Sequence, residues 1–255
     1  MNTSPARVGK PEAVYFYSTC LVDQFVPQAG MDAISLLERE GIRVVFPPDQ
    51  TCCGQPAYTS GQPEEARAVA AAQLDLFPEN WPIVVASGSC AGMMMHHWPK
   101  LFPVGSSEHQ RALAIAARIC EFAQFLVNIG FSRPDQGEPV QVALHTSCSA
   151  RREMNTHLAG RQLLAGLAQV KRVEHGHESE CCGFGGTFSL RHPEISAAMV
   201  ADKVGAIKAA GASQVVSADG GCLLNILGHA EHTKAQLPGE HLASFLWRRT
   251  GGASS

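Results

Sequence analysis

The 255-residue sequence predicts an α/β fold with two pseudo-repeated domains, each a mainly parallel sheet flanked by helices. Two observations predict this fold. A pattern of four cysteines occurs twice along the chain, and within each copy apolar, strand-like runs alternate with helix-like segments. Because the carboxyl ends of parallel strands meet at one edge of a sheet, we expect the cysteine loops of each half to lie together at that edge.

The repeated pattern consists of a single cysteine, a Cys-Cys-Gly triplet and a second single cysteine. The first cysteine precedes the pair by 32 positions in one half and 33 in the other, and the pair precedes the last cysteine by 37 and 40 positions. Eight of the nine cysteines follow this pattern: Cys20, Cys52, Cys53, Cys90, Cys148, Cys181, Cys182 and Cys222. We predict that these eight side chains bind a metal-containing cofactor.

Strand and helix signals alternate between these cysteines. Apolar runs that are expected to form buried strands end before all four single cysteines; a fifth run covers Ile42 to Phe46, and a weaker one surrounds Val173. Helices are expected over Met31 to Glu40, from Pro63 onwards, and from Pro193 to Gly211. The two prolines suit the first position of a helix, and acidic residues follow each of them.

The boundary between the halves is expected after a helical stretch from Glu108 to Ile129. The following segment, Ser132 to Glu138, is rich in proline, glycine and charge and is typical of a connection. We therefore predict an N-terminal cysteine-rich domain over residues 11–135 and a C-terminal one over residues 139–250.

Composition limits the function classes. The net charge of −3 gives no electrostatic support for binding nucleic acid, and no apolar run approaches the roughly 20 residues that cross a bilayer. Met1 to Pro11 lacks the hydrophobic stretch of a signal peptide, so we expect a cytoplasmic protein. Disulfides are rare in that compartment, and clustered cysteines there are more often metal ligands or catalytic thiols.

The adjacent cysteines favour a polynuclear centre. Sites made mostly of thiolates select zinc, copper(I) or iron–sulfur clusters. Zinc sites usually take ligand pairs from short C-x₂-C segments, which this chain lacks. Neighbours such as Cys52 and Cys53 reach two iron atoms of a cluster more readily than one tetrahedral ion. Structural zinc and uncoordinated thiols remain the alternatives.

The longer motifs resemble the duplicated cysteine-rich (CCG) domain. That family occurs in the B subunit of heterodisulfide reductase, the iron–sulfur subunit of glycolate oxidase and the lactate utilization proteins, and the chain is most similar to the A-type lactate utilization proteins. The resemblance covers about Ala13 to Trp247. It rests on the segments Cys52–Ala57, Ser87–Met93, Cys181–Thr187 and Asp219–Asn225.

The resemblance implies two iron–sulfur clusters, 4Fe–4S or a variant, and an electron-transfer subunit of a cytoplasmic L-lactate oxidation complex. Its expected partners are a ferredoxin-like iron–sulfur subunit and a third small subunit. Such a chain is an oxidoreductase subunit that does not act alone. Two alternatives stay open: a catalytic redox subunit that acts on a disulfide or 2-hydroxy acid at its own cluster, and a zinc-stabilised binding module.

Two departures from the family pattern limit this transfer. In heterodisulfide reductase each motif ends in C-x-x-C, whereas this chain has Met93 and Asn225 at the last position, so four thiolates remain in each half. The second motif often continues Cys-His. Here Ser149 follows the cysteine, although Arg152 is retained.

Several other residues have two interpretations each. Cys120 is expected to be a buried, inert thiol on the Glu108 to Ile129 helix. His96, His97 and His145 are interpreted either as surface helix caps or as side chains that act electrostatically on a cluster. Arg152 either offsets cluster charge or lies on a helix surface.

Overall fold

Eight strands form two parallel, four-stranded sheets in the computed structural model, which describes residues 9–253. The strand order is β2-β1-β3-β4 in the first sheet and β6-β5-β7-β8 in the second, so the predicted α/β fold of two similar units is confirmed. The strands are β1 (Ala13–Tyr17), β2 (Arg43–Val45), β3 (Ile83–Val85), β4 (Ile119–Glu121), β5 (Val140–His145), β6 (Val170–Val173), β7 (Gln214–Ser217) and β8 (Gly239–His241).

Helices connect the strands in the order expected of parallel sheets. They are α1 (Cys20–Phe25), α2 (Pro27–Arg39), α3 (Gln55–Thr59), α4 (Pro63–Ala71), α5 (Gly88–Gly92), α6 (Ser107–Ala116), α7 (Phe122–Asn128), α8 (Thr156–Ala165), α9 (Phe188–Arg191), α10 (Pro193–Ala209), α11 (Gly220–His232) and α12 (Leu242–Arg249). Pro63 and Pro193 begin α4 and α10, as predicted.

The expected helix from Glu108 to Ile129 is wrong as a continuous element. The chain leaves α6 after Ala116, forms β4 and then begins α7 at Phe122. The edge of β3 explains the difference. Ile119 to Glu121 pair in parallel with Ile83 to Val85, so their backbone groups hydrogen-bond to those of β3, which a helix there would leave unpaired. Cys120 therefore lies on a strand.

A hydrophobic core between the two sheets joins the halves. Helices α2 and α7 of the first half pack against α12 and α8 of the second. Phe16 and Leu126 lie in the same buried cluster as Leu144 and Leu246. The two halves consequently share a core, which holds their cysteine-bearing edges in a defined relation.

The interpretation of Met1 to Pro11 falls mostly on residues outside the described range. Within residues 9–253, no helix combines the length and the apolar character that crossing a bilayer requires.

Candidate metal centre

The single cysteines lie at the beginnings of helices that follow parallel strands. Cys20 begins α1 just after β1, Cys90 lies in α5 after β3, and Cys222 is in the first turn of α11 after β7. Cys148 follows β5 in the same way. The parallel register of the strands therefore gathers these side chains at one edge of each sheet, as predicted. The helix N-termini there favour negatively charged thiolates.

The four thiols of the N-terminal half are adjacent. Cys52 accepts hydrogen bonds from the thiols of Cys20 and Cys53, and Cys53 contacts Cys90 in turn. The backbone N–H of Gly54 also donates to Cys52 Sγ at 3.4 Å. These bonds lower the pKa of Cys52 to about 3, whereas the same contacts and burial raise the pKa of Cys53.

The C-terminal half repeats this arrangement. Cys181 accepts hydrogen bonds from Cys148 and Cys182, and the N–H of Gly183 donates to Cys181 Sγ at 3.3 Å. The pKa of Cys181 is lowered to about 2 as a result. Cys182 is also in contact with Cys222. Each half thus brings four sulfur donors from three separate segments together, in a chain of pairwise contacts from the first cysteine through the pair to the last.

Both sets of cysteines line one cavity of about 500 Å³. The sequence indicated two sites but not that they would face a common space. Polar contacts across the cavity hold the halves together: Ser87 Oγ donates to Asp219 Oδ1 at 2.6 Å, and Gln55 Nε2 donates to Ser149 Oγ at 3.4 Å. The two centres of this chain would consequently be neighbours.

The loops that carry the cysteine pairs are held by side chains that follow the last single cysteine of each half. Trp98 Nε1 donates to the carbonyl of Cys53 at 2.8 Å, and Asn225 Nδ2 donates to that of Cys182 at 2.7 Å. Asn225, at the last position of the second motif, therefore fixes the loop. Met93, at the corresponding position of the first half, is fully buried in the core.

The glycine after each cysteine pair has a left-handed backbone. Gly183 has φ +87°, and a Cβ atom there would lie 2.6 Å from the carbonyl oxygen of Ser196. We expect Gly183→Ala to lower the free energy of unfolding by about 1–3 kcal/mol, measured by urea denaturation. Gly205→Ala is the control, because a Cβ there meets open space in α10 and should stabilise by about 0.5–1 kcal/mol. Equal effects would contradict the strain at Gly183.

His97 and Arg152 line the cavity, and His96 lies beside His97 in the chain. His97 contacts Tyr58 Oη at 3.2 Å and Glu153 Oε1 at 3.3 Å, and His96 Nε2 contacts the carbonyl of Glu153 at 3.2 Å. The two contacts with Glu153 bridge the halves, a role that the sequence did not predict for either histidine. Arg152 lines the cavity, and its charge lowers the pKa of Cys148 against the larger effects that raise it.

Cys120 lies away from the eight. Burial, followed by the charge of Glu121, raises the pKa of its thiol to about 12. The thiolate fraction at pH 8 is therefore about 10⁻⁴, and alkylation of the folded protein should be correspondingly slow and accelerate about tenfold per pH unit. Mass spectrometry after iodoacetamide treatment at pH 8 and 9 measures this. Fast modification at pH 8 would contradict an inert thiol.

Sequence reasoning missed a buried layer beneath the cysteines. Tyr17 Oη donates to the carbonyl of Thr51 at 2.6 Å and to Gln73 Oε1 at 3.0 Å. In the second half, Lys203 Nζ donates to the carbonyl of Glu180 at 2.9 Å. A lysine within the apolar stripe of α10 was the available signal.

His145, interpreted as either a cap or an electrostatic group, is fully buried at the end of β5, which excludes a surface cap.

The Cysteine-rich domain family (CCG) matches residues 14–95 and again residues 142–227. The chain belongs to the cysteine-rich (CCG) domain family. Among relatives of this CCG protein, Lactate utilization protein A 1 of Bacillus mycoides is 37% identical over 94% of this chain and 99% of its own length. Lactate utilization protein A of Shouchella clausii is 37% identical over 91% of this chain and 98% of its own.

The fold is also found among solved structures. A hypothetical protein from Helicobacter pylori superimposes on all of this CCG protein with a TM-score of 0.66 at 12% identity. The chain spans about half of that protein, 52% of its length. This likeness supports the two-domain α/β fold alone.

The donor set fits a thiolate-ligated cofactor. In each half, one cysteine of the pair is buried and the other three thiols are partly exposed or border the cavity. Gly54 and Gly183 direct N–H groups at sulfur, as is common around iron–sulfur clusters. A ring nitrogen of His145 and the Sγ atoms of Cys182 and Cys222 also lie within 4.8 Å of one another.

Proposed function

We propose that this CCG protein is an iron–sulfur electron-transfer subunit of a lactate utilization system. The observation that carries the proposal is the chain of pairwise contacts that links four sulfur donors in each half, both sets opening into one cavity. The curated relatives are named lactate utilization protein A, which supports the metabolic assignment. We propose the eight framework cysteines as the ligands, and residues 11–135 and 139–250 as the two ligand-bearing domains.

The residues of the chain suit electron transfer between neighbouring centres. Clusters bound there would supply one-electron transfer. The chain supplies the thiolates, holds the paired cysteines through Trp98 and Asn225, and keeps the inner cysteine of each pair from solvent. Because the two sets share a cavity, electrons would cross between halves over a short path. A ferredoxin-like iron–sulfur subunit and a third small subunit are the proposed partners, in the cytoplasm.

Anaerobic purification followed by iron and acid-labile sulfide analysis tests the proposal. We expect both elements in the protein, with electron paramagnetic resonance signals from two centres after reduction. Zinc without sulfide would overturn the proposal and support the binding module. A colourless, sulfide-free protein prepared without oxygen would also overturn it.

The shared cavity favours one second candidate, a catalytic subunit that acts on a small substrate at its own centre. The specific observation is that polar side chains, among them Gln55, Tyr58 and His97, line this cavity beside the cysteines. Turnover of L-lactate with an artificial electron acceptor by the isolated, cluster-loaded chain would favour this candidate. Turnover only after the partner subunits are added would favour the electron-transfer subunit.

A further inference from the structure

The two halves differ at equivalent positions beneath their cysteines. Three residues before the first cysteine of each half stand Tyr17 and His145, at the ends of β1 and β5. Ten residues after the proline that begins α4 or α10 stand Gln73 and Lys203. All four side chains are buried. The first half therefore has a neutral Tyr–Gln pair where the second has histidine and lysine.

In the first half, the polar groups of Tyr17 and Gln73 are hydrogen-bonded to each other and to the cysteine loop. Tyr17 Oη donates to Gln73 Oε1 and to the carbonyl of Thr51, the residue before the cysteine pair. Gln73 Oε1 also accepts from the N–H of Thr51 at 3.1 Å, and Gln73 Nε2 donates to the carbonyl of Cys52 at 2.8 Å. These bonds leave Tyr17 no free proton to donate to sulfur.

In the second half, lysine takes over the contact with the cysteine loop. Glu180 is the residue before the pair, and its carbonyl accepts from Lys203 Nζ at 2.9 Å; the same ammonium donates to the carbonyl of His177. Burial lowers the pKa of Lys203, and the charges of Cys182 and Glu180 act in the opposite direction. A cation thus lies directly beneath this cysteine pair.

Because Lys203 donates to the Glu180 carbonyl, His145 does not bind the cysteine loop and faces the sulfurs instead. Neither of its ring nitrogens has a hydrogen-bond partner among residues 9–253, although the side chain is fully buried. A ring nitrogen and the Sγ atoms of Cys182 and Cys222 lie within 4.8 Å of one another. An unsatisfied buried donor of this kind is costly, so a partner supplied by a bound centre would stabilise it.

Building on the proposed function, we propose that His145 and Lys203 give the metal centre of the C-terminal half a higher reduction potential than that of the N-terminal half. A nearby cation and an N–H directed at the centre both favour the state that carries the additional electron. The N-terminal half offers neither group. The C-terminal half is then the accepting end of the chain.

Asp219 is the buried charge that opposes this asymmetry. It occupies the position of Ser87 in the first half and lies three residues before Cys222. Its carboxylate accepts from Ser87 Oγ and from the N–H of Ser89, both in the N-terminal half, and from the N–H of Ser147 at 3.4 Å. Although a hydrogen bond with Cys182 acts the other way, burial and the Asp219 charge raise the pKa of the Cys222 thiol, so this carboxylate lowers the potential of the C-terminal centre. Lys203, His145 and the charge of Arg152, which acts on Cys148, offset it.

The direction of transfer follows from this difference. In each step the N-terminal centre loses one electron and the C-terminal centre gains one, and no bond is made or broken. The lactate-oxidising component of the system supplies electrons to the N-terminal half, and an iron–sulfur partner removes them from the C-terminal half. The partner that accepts electrons therefore docks nearer to α11 than to α5.

Potentiometric titration of single-centre variants tests the proposal. Cys52→Ser leaves the C-terminal centre, and Cys181→Ser leaves the N-terminal one. We expect the centre retained in Cys52→Ser to be reduced at the higher potential. In the Cys52→Ser background, Lys203→Gln should shift that potential downwards. His145→Tyr combined with Lys203→Gln recreates the Tyr–Gln pair that already packs in the other half and should lower the potential further than Lys203→Gln alone.

Lys208→Gln is the matched control, because it removes the same charge from an exposed position of α10 and should leave the potential unchanged. Equal potentials of the two centres, a higher N-terminal potential, or no shift in the double substitution would overturn the inference while the iron–sulfur function stands. Absence of iron and sulfide from the unsubstituted protein would instead overturn the proposed function on which the inference rests. Circular dichroism confirms that each variant is folded.

Discussion

Cys181→Ser is expected to remove the centre of the C-terminal half and leave the other intact. Cys181 accepts hydrogen bonds from two neighbouring thiols and from Gly183, so it is the sulfur around which the C-terminal set is organised. A serine hydroxyl is a hard, weakly acidic donor and replaces a thiolate poorly at iron. Iron and acid-labile sulfide should fall by about half, because one of two similar thiolate sets is broken.

Electron transfer to the partner subunits should fall much further than the iron content. If the two centres act in sequence, loss of either one interrupts the path, and reconstituted lactate oxidation should drop by at least about 100-fold. Cys52→Ser is the equivalent substitution in the first half and should give the same loss of iron. Iron, sulfide and activity are measured on the same anaerobic preparations.

Cys120→Ser is the control for both substitutions. Its thiol lies on β4, and Asn128 is its hydrogen-bonding neighbour, so it should retain full iron and activity. Full iron and turnover in Cys52→Ser or Cys181→Ser would contradict the ligand assignment. Loss of all iron in either variant would show that the two sets form a single interdependent centre.

The cysteine sites were the most predictable part of the structure. Their spacing, together with the rule that strands in such sheets end at one edge, was enough to place Cys20, the pair after it and Cys90 together. The register confirms the reason, since Tyr17 and Val85 are paired at the ends of β1 and β3. Local sequence and topology agree here, and the prediction needed no knowledge of distant contacts.

The helix expected from Glu108 to Ile129 failed because a distant contact decides the outcome. Apolar residues at helical spacing continue through this stretch, and nothing in the local sequence marks Ile119 to Glu121 as a strand. The unpaired edge of β3, more than thirty residues earlier, provides the partner. Strand propensity depends on such neighbours more than helix propensity does.

The common cavity was unpredictable for the same kind of reason. The relation between the halves is set by the packing of α2 on α12 and α7 on α8, which joins residues separated by much of the chain. Lys203 illustrates the consequence. Its place within an apolar helix face signals a buried role, but only the three-dimensional position of Glu180 shows which group it binds.

Arg249→Met is expected to destabilise the whole fold, because Arg249 ties the connection between the halves to the last helix. Its Nη2 contacts Asp135 Oδ2 at 2.6 Å, and its Nη1 donates to the carbonyl of Glu138 at 2.6 Å. Both members of the ion pair are almost inaccessible to solvent, at 2% and 0%. Removing one partner leaves a buried, uncompensated carboxylate, and we expect a loss of about 3–5 kcal/mol in the free energy of unfolding.

The free energy of unfolding should depend on pH through the same Asp135–Arg249 pair. Burial raises the pKa of Asp135, but the hydrogen bonds from Arg249 and from the N–H groups of Gln169 and Gly137 outweigh that effect, and the pKa is lowered. The stabilisation is therefore complete above the unfolded-state pKa of about 3.9 and is lost as the pH falls through the lower, folded-state value. Arg249→Met should lose this acid-dependent part.

Urea denaturation at pH 7 and below pH 4 measures both effects, with Arg248→Met as the control. Arg248 is adjacent, exposed and paired with Glu240 at the surface, so its loss should change stability by no more than about 1 kcal/mol. The double variant Asp135→Asn with Arg249→Met should recover part of the loss, because no charge then remains buried. If Arg248→Met and Arg249→Met were equally stable, the segment from Ser132 to Glu138 would be a loose connection, and the shared core alone would hold the two cysteine sets at one cavity.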